Sequence, residues 1–278
     1  KLNIVGPNAI DISNLTLIGQ QSTNYRVLPI PSFYSYIIPR NLNIIFKGGS
    51  KIYDSYRDAN TNIFGTIYNI VPGEIITISS FVAMFKDQNV GLRFIDISNV
   101  ILSGPTVFNY NLLSVPSISG MINQRGLTAT FTGGNKIYDS TRFNGPIYGS
   151  LSGIIGMENV TISTYISFFK SGLVGSRFID ISYVTLQGPT AYNYYVYSVP
   201  VLTAYIDYKT LIASFTGGTK IYDSLYTTGP IQSSLSGIIG FDDVQVNYFD
   251  SKFKLNIVGP NAIDISNLTL IGQQSTNY

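Results

Sequence analysis

Cysteine and histidine are absent from this 278-residue chain, and charge is scarce. Without cysteine there is no disulfide and no thiolate nucleophile. Without histidine the commonest general base is gone, and with both missing so are the usual zinc ligands. Only 12% of the residues are charged, against about 25% in an average soluble domain. The net charge of +2 comes from lysines and arginines scattered along the chain. Nucleic-acid binding calls for a clustered basic stripe, so no nucleic acid is expected as a partner. The shortage of charge does not create a membrane helix either. Gly, Pro, Asn and Ser interrupt every apolar stretch before it reaches 18 residues, so no membrane span is expected. The chain opens at Lys1 with neither a Met start nor a basic-then-apolar leader, and reads as an internal piece of something longer.

What is abundant points to β-structure. There are 21 Tyr and 16 Phe beside many Ile, Val, Thr and Ser, and these types favour strands. Self-similarity dominates the pattern. The pentapeptide KIYDS occurs three times, at Lys51–Ser55, Lys136–Ser140 and Lys220–Ser224. Each copy follows an aromatic and a Gly pair: Phe46 with Gly48-Gly49, Phe131 with Gly133-Gly134, and Phe215 with Gly217-Gly218. Val-Gly recurs at Val5, Val90, Val174 and Val258, and the IDIS aspartates are Asp11, Asp96, Asp180 and Asp264. Asn-Tyr recurs at Asn24, Asn109, Asn193 and Asn277, followed by Pro31, Pro116 and Pro200. Successive copies step by 85 and then 84 residues, the size of one small domain.

A second repeat lies over the first. Residues 1–25 are identical to residues 254–278, which sets a longer period of 253 residues, or three modules. Two readings stay open: an array whose three-module block is duplicated, or one overlapping tile of a continuous fibre. The division follows directly. Residues 1–41 are the end of a preceding module, 42–126 the first full module and 127–210 the second. Residues 211–278 are a third module, cut before its last strand.

Within the middle module, "TATFTGGNKIYDS" reads as strand, Gly-Gly turn, strand. "NVTISTYISFF" alternates, placing Val160, Ile162, Thr164, Ile166 and Phe168 on one face. "RFIDISYVTLQG" sets Phe178, Asp180 and Ser182 against Ile179, Ile181 and Tyr183, and the alternation then shifts. Six to eight short strands between turn signals predict an all-β chain of tandem, Ig-like β-sandwich modules. With almost no linker between modules, the expectation is a rod; β-grasp-like modules are the alternative.

"GGNKIYDSTRFNGPIYGSLSGIIGMENVTIST…FFKSGLVGSRFIDISYVTLQGPTAYNYYV" resembles the YDG-type repeat of large bacterial surface adhesins. Its slots are met by Lys136, Tyr138, Asp139, Leu151, Gly153, Val160, Val174-Gly175, Leu186, Gly188 and Asn193-Tyr194. The resemblance extends over all three modules and implies an extracellular tandem array, in a bacterial or viral surface fibre. One departure is consistent: the Gly after Tyr-Asp is Ser55, Ser140 and Ser224 here.

The repeated motif residues are Lys51, Tyr53, Asp54, Lys136, Tyr138, Asp139, Lys220, Tyr222 and Asp223, with Asn109, Tyr110, Asn193 and Tyr194. They are expected to be structural: Asp starts a turn, Tyr half-buries its ring and the Lys stem covers it. Asn193 is expected to bond its local backbone and Tyr194 to pack. Asp242-Asp243, aligned with Glu158-Asn159, reads as a solvated turn or a calcium ligand pair, the oxygen cluster being thin for the latter. Tyr192, Tyr195 and Tyr197 are candidates for module packing or for an outside ligand. No catalysis, cofactor or metal is expected, since the recurring Asp96, Asp180 and Asp264 lie one per module. The expected function is a structural fibre or adhesin stalk on a cell or virion surface, with itself as the main partner, joined end to end or by strand exchange. A carbohydrate-binding or host-attachment module that meets a surface glycan through exposed tyrosines is the alternative.

Overall fold

The computed structural model describes residues 3–30, 32–59 and 62–278; Pro31 of the recurring proline slot lies outside them. Two compact units form, Lys1–Arg125 and Gly126–Tyr278.

The second unit shows the module most fully. Ile147–Ser152, Arg125–Gly133 and Tyr194–Ser198 line up as one three-stranded sheet. Lys136–Ile137, Leu202–Asp207, Gly175–Gln187 and Thr161–Phe169 make a four-stranded sheet. Strand periodicity puts Leu127, Ala129 and Phe131 inward from the first sheet, and Leu202, Ala204 and Ile206 inward from the second. They meet with Tyr138, Ile147, Phe169 and Ile179 in one buried cluster. The module is therefore an all-β sandwich. Among the described residues the helices are single 3-10 turns, so nothing can lie across a sheet as the β-grasp alternative requires.

The Gly-Gly pair makes the turn from one sheet to the other. Gly134 has φ of 94° and donates its N–H to Pro146 O at 2.8 Å. A Cβ there would come within 2.5 Å of Ile179 Cδ1, so both conformation and space demand glycine.

Two expected faces are corrected. In Thr161–Phe169 the pairing with Gly175–Gln187 shifts register between Ile162 and Thr164 and again between Thr164 and Ile166. The irregularity reverses which side faces inward. Phe169 is fully buried, whereas Ile166 and Phe168 are exposed. On the opposite strand Tyr183 adopts φ of 52° and points outward, not inward beside Ile181.

The first unit repeats the plan. Ile63–Tyr68, Arg40–Gly48 and Tyr110–Leu112 form the three-stranded sheet. Lys51–Ile52, Ile118–Asn123, Gly91–Ser103 and Thr77–Phe85 form the four-stranded one.

The identical end segments fold differently. Gly6–Ile10 is a strand, paired antiparallel with Phe33–Ile37. The same letters at 259–262 are outside any strand, and their strand begins only at Ile263, where Gln245–Phe253 pairs with it. Conversely, residues 11–18 form no strand, although the same letters at 264–271 do. Each half is a strand only where its partner is present, because the ladder satisfies its backbone groups.

Candidate functional site: the module junction

The KIYDS motif builds a turn around an ion pair. Lys136 Nζ lies 2.5 Å from Asp139 Oδ1 and also donates to Thr141 O at 2.8 Å. Asp139 Oδ1 in turn accepts the Thr141 N–H at 2.9 Å. The ammonium sits 5.8 Å from the centre of the Phe169 ring, close enough for a cation–π contact. The other copies repeat the arrangement: Lys51 with Asp54 and the Phe85 ring, Lys220 with Asp223 and the Phe253 ring. Burial pushes the Asp139 carboxyl up, but hydrogen bonds from Lys136 and Thr141 outweigh it and hold the group below its ordinary value. Asp223 is likewise lowered, by Lys220 first and then the Leu225 N–H.

Two of the three motif tyrosines go deeper than the expected half-burial, and the third stays at the surface. Tyr53 and Tyr138 are buried to 1% and 4% exposure, whereas Tyr222 is 61% exposed. What covers Tyr138 explains the difference. Its hydroxyl donates to Asp242 Oδ2 at 2.9 Å, and its ring meets Tyr278 edge to face at 5.5 Å between centroids. Asp242 and Tyr278 belong to the following module. Within residues 1–278 no copy stands in that place beside Tyr222.

Asp242 is itself part of a clasp that every module repeats. The hydroxyl of Tyr278 donates to Asp242 Oδ2 at 2.7 Å and accepts the Ile239 N–H at 2.8 Å. Tyr194 donates to Glu158 Oε2 at 2.8 Å and accepts from Ile155. Tyr110 donates to Glu74 Oε2 and accepts from Val71. The tyrosine of the Asn-Tyr pair thus ties the turn before its own module's long strand hairpin to the end of that hairpin. Hydrogen bonds from Tyr110 and then Thr106 lower the Glu74 carboxyl. Burial, followed by the Asp242 hydrogen bond and charge, raises the Tyr138 phenol to about 12. Tyr278 is also raised, mainly by burial. The Asp242-Asp243 pair, considered above as a solvated turn or a calcium site, therefore spends its first carboxylate on two phenols. Among the described residues no group of three or more Asp or Glu gathers to hold a metal ion.

Two asparagines of the Asn-Tyr slot, Asn277 and Asn109, reach across to a neighbouring module. Asn277 Oδ1 accepts the Val174 N–H at 3.2 Å, 103 residues away. In the first unit Asn109 Oδ1 accepts the Val5 N–H at 2.9 Å, 104 residues away. The Val-Gly and Asn-Tyr slots are thus the two halves of one contact between consecutive modules. Asn193 is fully buried. Lys209 N–H also donates to Asn277 O at 3.1 Å.

The sequence aligns Asp242 with Glu158 but does not show that this slot holds the acid of a clasp, because the residue varies between Glu and Asp and its tyrosine lies far along the chain. A constant spacing of 36 residues marks it: Glu74 to Tyr110, Glu158 to Tyr194, Asp242 to Tyr278. Tyr192, Tyr195 and Tyr197 are surface residues, 54%, 43% and 74% exposed. Tyr195 and Tyr197 meet edge to face at 6.4 Å and lie over Gly126, where a Cβ would come within 2.8 Å of the Tyr197 Cβ.

No curated protein and no solved structure matches the chain. A family model does: a YDG domain occupies residues 123–201, the stretch that holds the second KIYDS copy and its Asn-Tyr pair.

Proposed function

We propose that this chain is a structural repeat segment of an extracellular fibre or adhesin stalk, with no catalysis and with copies of itself as its main partner. One observation carries the reading. The most regular residues of the motif are used at a junction between modules: Tyr138 to Asp242 and Tyr278, Asn277 to Val174. Side chains spent on joining neighbours are what a load-bearing array needs, since each repeat is stabilised by the next. Scarcity of charge favours the same outcome, because little repulsion opposes association.

Electron microscopy of the assembled protein tests this. Each module should add roughly 30–45 Å along a filament, from strand rise and usual strand length. Dispersed monomers at every concentration would sink the fibre reading. The glycan reading has weaker support, because Tyr195 and Tyr197 already pack on each other and over Gly126.

A further inference from the structure

The outer face of the four-stranded sheet carries a pattern that the core does not explain. In the second module Tyr205 stands opposite Ser176 and Phe178 opposite Thr203, while Phe168 stands opposite Asp180. Each step is one strand over and two residues on, so the outward side chains of Tyr205, Phe178 and Phe168 run along one diagonal. Phe143 extends it, its ring 5.6 Å from that of Phe168. All four are exposed, from 39% to 64%, with the following module in place. The first module lays out the same diagonal in other letters. Met121 stands opposite Leu92, Phe94 opposite Ser119 and Met84 opposite Asp96, and Met121, Phe94 and Met84 are exposed too.

An ion pair crosses each diagonal. Lys170 Nζ lies 3.2 Å from Asp180 Oδ1, and Lys86 Nζ lies 3.5 Å from Asp96 Oδ1. The backbone N–H of Lys170 donates to Phe178 O, so the lysine sits beside Phe178 and its aspartate beside Phe168. These charged side chains are more than half exposed, and such a pair contributes little to folding. What it gives the face is a fixed positive and a fixed negative charge on either side of an apolar line.

We infer that this face is where two copies of the chain lie side by side, complete module on complete module. The proposal rests on the reading of the chain as a self-associating repeat protein and names its lateral contact. Charge complementarity selects the occupant. A two-fold axis along the apolar diagonal sets each Lys170 over the partner's Asp180 and each diagonal ring on its own mate. The strands of the two copies then cross steeply, as in orthogonal sheet packing. A first module facing a second fits in the same way, since Lys86 and Asp96 hold the same slots. A surface present once per complete module also favours a partner with the same repeat, because several weak contacts then add; this chain has that repeat. Exposed apolar patches of this kind mark contact surfaces. The third module sets the limit. Its Lys254–Asp264 pair is kept at 3.1 Å, but Ala262 and Lys252 take the slots of Phe178 and Phe168, so the apolar diagonal is missing there.

Charge exchange tests this. One chain carries Lys86→Asp and Lys170→Asp, the other Asp96→Lys and Asp180→Lys. Each alone sets like charges across the contact, and together they restore opposite ones. Sedimentation velocity is run over a concentration series, with circular dichroism as the check on folding. Each chain alone should associate at least about tenfold more weakly than the parent, because opposed like charges across an interface are costly. The equimolar mixture should return to within a few-fold of the parent. A further chain with Met84→Lys and Phe168→Lys carries the residue that the third module folds with at this slot, Lys252, and should be weakened as much. Parent-like association by each of these chains, or a mixture no better than its components, would overturn the lateral face and leave the fibre reading standing. A parent chain that stays monomeric at every concentration would overturn both.

Discussion

Tyr138 and Tyr278, from consecutive modules, share one acceptor: both hydroxyls donate to Asp242 Oδ2, at 2.9 and 2.7 Å. Removing that carboxylate strands two phenols in a buried setting. Each unpaired buried donor costs about 1–3 kcal/mol. Asp242→Ala should therefore lower the urea midpoint of the unit Gly126–Tyr278 and leave that of Lys1–Arg125 in place. Asp242→Glu, the residue found at this slot in the other modules, should retain most of the stability. Equal urea midpoints for Asp242→Ala and the parent chain would show that the clasp is incidental.

The same junction sets an alkaline limit. The Tyr138 phenol is raised from 10.0 to about 12. A raised folded value means that its contribution is full below pH 10, shrinks as pH rises, and is gone above about 12. Tyr278 shifts the same way. Thermal unfolding should show stability falling over this window, with a shallower fall in Tyr138→Phe. Ultraviolet titration of tyrosinate adds a direct readout: one phenol fewer should titrate late in the variant. An unchanged late-titrating fraction would contradict the assignment.

Alternation and turn chemistry made the strands and the sandwich legible, because Leu127, Ala129 and Phe131 carry their burial in their spacing. The repeat spacing likewise exposed the motif residues. Two things stayed hidden. Faces beyond a bulge were misread, since Thr164 and Tyr183 shift the phase without any Gly to announce it. Partners more than 100 residues apart were invisible, so nothing in the Asn-Tyr slot announced that the side-chain carbonyl of Asn277 serves Val174. The identical end segments state the limit most plainly. Residues 6–10 and 259–263 share every letter, yet only the copy beside Phe33–Ile37 is strand throughout.

Of the nine non-glycine residues with positive φ among the described residues, Ser140 and Tyr183 offer room for stabilisation. Ser140 has φ of 58°, in the slot where the resembled YDG pattern carries Gly. Tyr183 has φ of 52°, where the aligned Asn14, Asn99 and Asn267 have 59°, 49° and 51°. Left-handed geometry costs most side chains about 1–2 kcal/mol, and Gly avoids this at an entropic cost of about 0.5–1. Ser140→Gly and Tyr183→Asn should each raise the melting point by a few degrees, an effect of about 0.5–1 kcal/mol. Because the two sites share no partner, their gains should add. A lowered melting point in Tyr183→Asn would mean that the exposed ring makes contacts worth more than the backbone strain.

The KIYDS lysine offers the last test, since its charge and its packing can be separated. Lys136→Met keeps the stem that lies along the core and deletes the ammonium, with its bonds to Asp139 and Thr141 and its contact with Phe169. The lysine side chain is 9% exposed, but Asp139 is 48% exposed, so water recovers part of the loss. The expected cost is about 1 kcal/mol, at the upper end for a partly exposed pair. The acid side of the stability profile discriminates better. Asp139 is held below its ordinary value of 3.8, so its contribution is present above that value and disappears as pH falls through the lower folded one. In Lys136→Met the Asp139 carboxyl, followed by carbon-detected NMR, should titrate closer to 3.8, and the parent chain's advantage should vanish at the acid end. An Asp139 titration that stays low without the ammonium would assign the shift to the Thr141 N–H and hydroxyl instead.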